Sequence, residues 1–179
     1  KADIIRVGEL CQNALIYYPS ELAFHYYLAL SLAQQEKLQE AVDALTTAIR
    51  QANEESRPDI LGDVYSLLGD VHHQMGHEKE VYQAFDSCLV YTPDNVSCLN
   101  NYAYYLSLKG EQLEKAEKMS YRSIKAEPTN KTFLDTYAWV LFMLEDFATA
   151  RIYIDKVVSP QESDKELMAS EDINAVLLE

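Results

Sequence analysis

Apolar residues recur in steps of three and four along residues 2–158, which is the spacing of one face of an α-helix. Breaks that contain proline interrupt this pattern at residues 58–59, 93–95 and 128–130, and Gly76 and Gly110 stand in shorter turns between them. Proline cannot continue a helix, and glycine readily takes the left-handed conformation that ends one. The pattern therefore predicts pairs of antiparallel helices, with joints at the prolines and inner turns at the glycines.

A small residue recurs at one position of this pattern. Ala29, Gly69, Ala103 and Ala138 are separated by 40, 34 and 35 residues. A period of this length indicates a helical-repeat architecture, in which each unit buries its apolar face only against its neighbours. The excess in the first interval falls in the polar stretch 51–59, which predicts an extended helix end followed by a loop.

Residues 99–106 and 134–141, with the sequences LNNYAYYL and LDTYAWVL, resemble the tetratricopeptide repeats (TPRs) of bacterial proteins. The resemblance implies an all-α fold, a right-handed superhelical solenoid of antiparallel helix pairs. It also implies that residues 1–179 form a single array. The array consists of the second helix of a truncated repeat, four full repeats, and a C-terminal helix or start of a further repeat: 2–18, then 20–53, 59–92, 94–127 and 129–158, then 161–179.

The same resemblance implies a non-catalytic interaction module that holds a peptide or protein segment in a concave groove. In this family the second, fifth, ninth and twelfth positions of each first helix line the groove. The candidate groove residues at these positions are Tyr26, Asp63, Asp70, His73, Asn100, Tyr104, Asp135, Trp139 and Phe142. Aromatic anchors beside carboxylates suit an extended partner with basic and apolar residues. A structural alternative stays open, because Trp139 and Phe142 lie in an apolar run that also predicts helix-to-helix packing.

One subclass of the family clamps the C-terminal carboxylate of its partner with lysine, arginine and asparagine side chains. Asp63 and Ser66 stand here where cations would be needed, and only Asn101 resembles a part of that clamp. We therefore do not expect a C-terminal carboxylate as the ligand.

The net charge of the chain further limits the classes of partner that we expect. The chain has 15 Lys and Arg against 29 Asp and Glu, a formal net charge of -14, which disfavours nucleic acid because phosphate binding depends on cationic side chains. The longest apolar run, residues 137–144, is too short to cross a bilayer. No cofactor is predicted. The compartment stays unknown, although the resemblance favours the bacterial periplasm or cell envelope over the cytoplasm.

Two other functions stay open. Open repeat ends predict a structural fragment that associates with copies of itself. The spacing of Asp70, His73 and His77 by three and four residues suits a metal-dependent enzyme centred on the two histidines. In addition, Cys88 and Cys98 flank one tight turn, and two alternatives stay open for them: a disulfide in an oxidising compartment, or two buried thiols that act as small apolar residues.

Overall fold

The computed structural model describes residues 2–158. Within this range the chain forms nine α-helices and no β-strand. The helices are α1 (Ala2–Ala14), α2 (Leu22–Gln34), α3 (Leu38–Gln51), α4 (Pro58–Met75), α5 (Glu78–Tyr91), α6 (Val96–Lys109), α7 (Leu113–Ala126), α8 (Lys131–Met143) and α9 (Phe147–Val158). The all-α fold predicted from the sequence is confirmed. The segment 161–179 lies outside the described residues.

The helices pack as consecutive pairs. Helix α2 packs on α3, α4 on α5, α6 on α7 and α8 on α9, while the first helices α2, α4, α6 and α8 contact one another in that order. The small residue of the repeat lies where the two helices of a pair approach most closely. At Gly69 a Cβ atom would come within 2.7 Å of the Phe85 ring. Ala29 and Ala103 are fully buried at the same position.

The inner turns at Gly76 and Gly110 have the left-handed conformation predicted from these glycines. Gly76 and Gly110 end α4 and α6 in the left-handed conformation, with φ of 75° and 66°. At the matching positions after α2 and α8 the chain has Glu36 and Glu145, each with φ of 63°. A side chain makes this conformation costly, so these two turns carry a strain that the glycine turns lack.

The six extra residues of the first interval mostly lengthen α4. Helix α3 ends at Gln51, and α4 begins at Pro58 and is 18 residues long, against 13 or 14 for α2, α6 and α8. The expected extension of the preceding helix is therefore wrong, because the rigid φ of proline favours the first turn of a helix over its end. The expected loop is present, and Asn53 and Ser56 close it by hydrogen bonds.

Both cysteines that flank the turn after α5 are free thiols in this structure. Cys88 and Cys98 are fully buried in one core cluster together with Phe85 and Tyr102. The Sγ of Cys98 donates to the backbone oxygen of Phe85 over 3.8 Å. The pair therefore acts here as small apolar core residues.

Candidate functional site

The candidate groove residues fall into three classes of exposure. Six of them are exposed at matching positions on α4, α6 and α8: Asp63, His73, Tyr104, Asp135, Trp139 and Phe142. Tyr26 and Asp70 are half-buried, and Asn100 is buried. Because the first helices lie side by side, the exposed residues follow one another along the array.

Asp70 is held by α6, the first helix of the next repeat. Its carboxylate accepts hydrogen bonds from the Asn101 side chain at 3.0 and 3.1 Å and from the Tyr105 hydroxyl at 3.2 Å. Burial nevertheless raises the pKa of Asp70 to about 6, and the hydrogen bonds from these two side chains only partly oppose this effect. Asp70 therefore connects α4 to α6 through its hydrogen bonds, and it also contributes negative charge to the surface.

His73 also lies at the contact between α4 and α6, where it packs against an aromatic ring. Its imidazole stacks on Tyr105 with ring centroids 3.7 Å apart and an interplanar angle of 11°. Burial lowers the pKa of His73, with a further contribution from the nearby Lys109. Lys109 forms an ion pair with Glu78 of α5, and the two residues border a pocket of about 240 Å³ beside His73. The imidazole is thus fixed in orientation and favours the neutral form.

Asp63 and Tyr26 extend the acidic part of the surface toward the N-terminus. Asp63 accepts a hydrogen bond of 2.9 Å from the side chain of Asn95, the N-cap residue of α6. Burial raises the pKa of Tyr26, and the negative charges of Asp63 and Asp70 add to the effect. The three side chains therefore share one electrostatic environment, in which carboxylates predominate.

Asn100 does not reach the surface. It is 3% exposed, its amide nitrogen donates to the Asn101 side chain over 3.2 Å, and its Oδ1 has no partner among residues 2–158. Asn100, predicted as a groove residue, is therefore not exposed on the surface that the six exposed candidates share. Asn101, the one residue that resembled a carboxylate clamp, is bonded to Asp70.

Trp139 and Phe142 lie at the last described pair, where they form an aromatic cluster with Phe147. The Trp139 and Phe142 rings stack with centroids 5.7 Å apart, and Phe147 meets Phe142 edge-on at 5.3 Å. The cluster forms one wall of an apolar pocket of about 370 Å³, which we call the end slot. The end slot is lined by Asp135, Ala138, Trp139, Phe142, Phe147, Ala150, Arg151 and Ile154.

The second-helix half of the end slot was missed by the groove positions, which concern first helices only. Phe147 is 57% exposed directly after the turn at residues 144–146. The sequence signal that could have found it is the short distance along the chain from Trp139 and Phe142 to Phe147, across one turn.

The two histidines of the metal hypothesis face different neighbours. The His77 ring lies 5.6 Å from the His72 ring, whereas His73 stacks on Tyr105. No group of three or more His, Cys, Asp or Glu side chains with metal-ligand geometry occurs in the part of the chain that the structure describes. Likewise, none of the described helices has the length and apolar character of a membrane span.

Comparison with solved structures identifies the fold as that of TPR proteins. A MamA protein superposes with a TM-score of 0.68 at 13% identity over 95% of this chain and 87% of MamA. YrrB, described as a TPR protein with an unusual peptide-binding site, gives 0.65 at 17% identity over 95% and 84%. PilF of Pseudomonas aeruginosa gives 0.70 at 17% identity over 90% and 77%. No protein-family model and no curated protein sequence matches the chain.

Proposed function

We propose that the chain is a non-catalytic protein-interaction module that binds an extended peptide segment along its first helices. The observation that carries the proposal is the row of exposed aromatic and acidic side chains at matching positions of α4, α6 and α8. The structural similarity to YrrB, a protein described by its peptide-binding site, supports the same reading. A stack of helix pairs offers such an extended surface without a closed pocket.

The chemistry of the row indicates the partner. Asp63 and Asp135 carry exposed carboxylates, while Tyr104 and Trp139 supply large flat surfaces. Rigid aromatic side chains contribute most of the binding energy at protein interfaces, and charge complementarity chooses among partners. The partner that fits is a segment in which lysine or arginine alternates with apolar residues.

A display library of random 12-residue peptides, selected on the full chain, tests this. We expect the selected peptides to be enriched in Lys, Arg and apolar residues. Binding should weaken about tenfold in the variant Tyr104→Ala, because a central aromatic anchor is worth 1 kcal/mol or more. The matched control is Tyr17→Ala, since Tyr17 is an exposed tyrosine that follows α1. Enrichment of acidic peptides, or equal loss in both variants, would contradict the proposal.

A second candidate function is self-association through the ends of the array. Leu10 on α1 and Ile16 and Tyr17 in the turn after it are exposed at one end, as Phe147 and Val158 are at the other. Contact between two different faces generates open, head-to-tail chains. Sedimentation velocity over a hundredfold concentration range distinguishes the two functions, because self-association predicts growing species and peptide binding predicts a monomer.

A further inference from the structure

The end slot occupies the position at which every earlier pair receives another helix. Helix α4 packs on α2 and α3, and α8 packs on α6 and α7. No helix of residues 2–158 stands in the same relation to α8 and α9. The end slot is therefore the next helix position of the array, with its apolar wall uncovered within the described part of the chain.

Burial at matched positions shows how incomplete this face is. Leu45 of α3 and Phe85 of α5 are fully buried at the position that Ile154 occupies in α9, and Ile154 is only half-buried. Ala48 and Cys88 are fully buried at the position of Val157, which is also half-buried. The missing contacts are those of one helix, because one helix covers these positions elsewhere.

The lining favours a helical occupant with apolar anchors. Trp139, Phe142 and Phe147 present three neighbouring rings, and Ala138 and Ala150 line the same pocket with small side chains. An amphipathic helix places side chains at i, i+3, i+4 and i+7 on one face, which is how helices dock into apolar grooves.

Charge decides between the sources of such a helix. Asp135 lies in the slot without an ion pair in the described residues, and Glu145 is exposed in the adjoining turn. The cation of the lining, Arg151, has its Nε 3.8 Å from Asp155. A basic helix complements this rim. Residues 159–179 carry six carboxylates and one lysine, and a second copy of the chain carries a net charge of -14, so both are poor matches.

We propose that the end slot binds an amphipathic helix of a partner protein, with apolar residues on one face and lysine or arginine beside Asp135. The proposal rests on the proposed function, since it assigns a helical partner to the last three residues of the row. Phe147 and Ile154 belong to the end slot alone, and Tyr104 belongs to the row alone. Failure of one site can therefore be told apart from failure of the other.

Three synthetic peptides of about 14 residues serve as probes, each titrated into the full 179-residue chain. The first has leucines at i, i+3, i+4 and i+7 with lysines elsewhere, the second replaces every lysine by glutamate, and the third keeps the composition of the first in an order without an apolar helix face. Trp139 is the single tryptophan and lies in the slot, so its fluorescence reports occupation. Calorimetry gives an independent affinity.

We expect saturable binding of the first peptide with a blue shift of Trp139 emission, and at least tenfold weaker binding of the other two. Phe147→Ser should weaken the first peptide at least tenfold, and Tyr17→Ala, at an exposed tyrosine outside both the row and the end slot, should leave it unchanged. Phe147 is exposed, so its replacement leaves the core intact, which the thermal midpoint of unfolding checks. Equal binding of the three peptides, or no effect of Phe147→Ser, would overturn the proposal.

Two further results would also overturn it by identifying another occupant. The first is that the basic peptide binds only after Ile173→Ser and Leu177→Ser are introduced together in the full chain, which would make residues 159–179 the occupant. The second is a concentration-dependent dimer in sedimentation velocity that Phe147→Ser abolishes, which would make a second copy the occupant. A monomeric full chain that binds the basic peptide without any change in residues 159–179 supports a partner helix.

Discussion

The pairs α6–α7 and α8–α9 share the same register of core positions but differ in burial. Ser123 of α7 is fully buried, while Val157 at the matching position of α9 is half-buried. Ile124 is 6% exposed, and its counterpart Val158 is 70% exposed. A serine is thus better buried than a valine, and its single hydroxyl hydrogen has two backbone acceptors within reach, the oxygens of Val96 at 3.3 Å and Met119 at 3.2 Å. Burial in this fold depends on the next helix more than on the residue itself.

The largest expected effect tests how far stability depends on cover by the next helix, at the repeat position shared by Phe85 and Ile154. Phe85→Ala should lower the free energy of unfolding by about 3 to 5 kcal/mol, because it leaves a cavity in a closed core. Ile154→Ala should cost about 1 kcal/mol, since part of that side chain is already exposed to water. Urea denaturation of both variants gives the two values. Equal costs would mean that the terminal pair is as closed as the internal ones.

A second variant pair compares the close approach of helices in the two regions. Ala103→Leu should cost about 1 to 3 kcal/mol, because the added side chain overpacks a fully buried contact. Ala138→Leu should cost less, since Ala138 borders the end slot and the larger side chain has space to enter it. Thermal unfolding of the two variants checks the order. A neutral result at both positions would show that the repeat alignment is wrong.

A buried and an exposed carboxylate provide the third comparison. The folded-state pKa of Asp70 is about 6, above the value of 3.8 for the free side chain, so the folded state binds more protons between these pH values. The stability that Asp70 contributes therefore rises as pH falls through 6. Asp70→Asn should stabilise the chain by about 1 to 2 kcal/mol at pH 7 and by much less at pH 4.

Urea denaturation of Asp70→Asn at both pH values measures this difference. Asp135→Asn is the matched control, because Asp135 is an exposed aspartate on a first helix. The same gain at pH 7 and pH 4, or a larger gain in the control, would show that Asp70 is not desolvated by the joint between α4 and α6.

The smallest effect concerns the turns. Glu145→Gly should stabilise the last pair by about 0.5 to 1 kcal/mol, because glycine removes the steric cost of a left-handed residue but loses more conformational entropy on folding. Gly76→Ala should cost about 1 kcal/mol for the same reason in reverse. Differential scanning calorimetry resolves shifts of this size. A loss of stability in Glu145→Gly would mean that contacts of the Glu145 side chain outweigh its backbone strain.

Most of the helix boundaries and turns were predictable from local signals. Proline and asparagine placed the starts of α6 and α8, where Asn95 and Asn130 accept hydrogen bonds from the first turn. The hydrogen bonds of Asp70 were not predicted, because the groove positions were assigned within each first helix separately, without regard to the neighbouring repeat. Asn101 and Tyr105 lie 31 and 35 residues from Asp70. A search for complementary polar residues about one repeat apart would have suggested both bonds.

The sequence by itself determined the all-α array, the close contacts at Ala103 and Gly69, and the left-handed turns at the glycines. Each of these depends on residues near in the chain, whose steric preferences act before the repeats stack. Only the tertiary structure decided that Asn100 is covered, that Asp70 joins two helices, and that no helix of residues 2–158 covers the aromatic cluster of α8 and α9. These outcomes depend on which helix arrives on each face, and identical positions in successive repeats receive different neighbours.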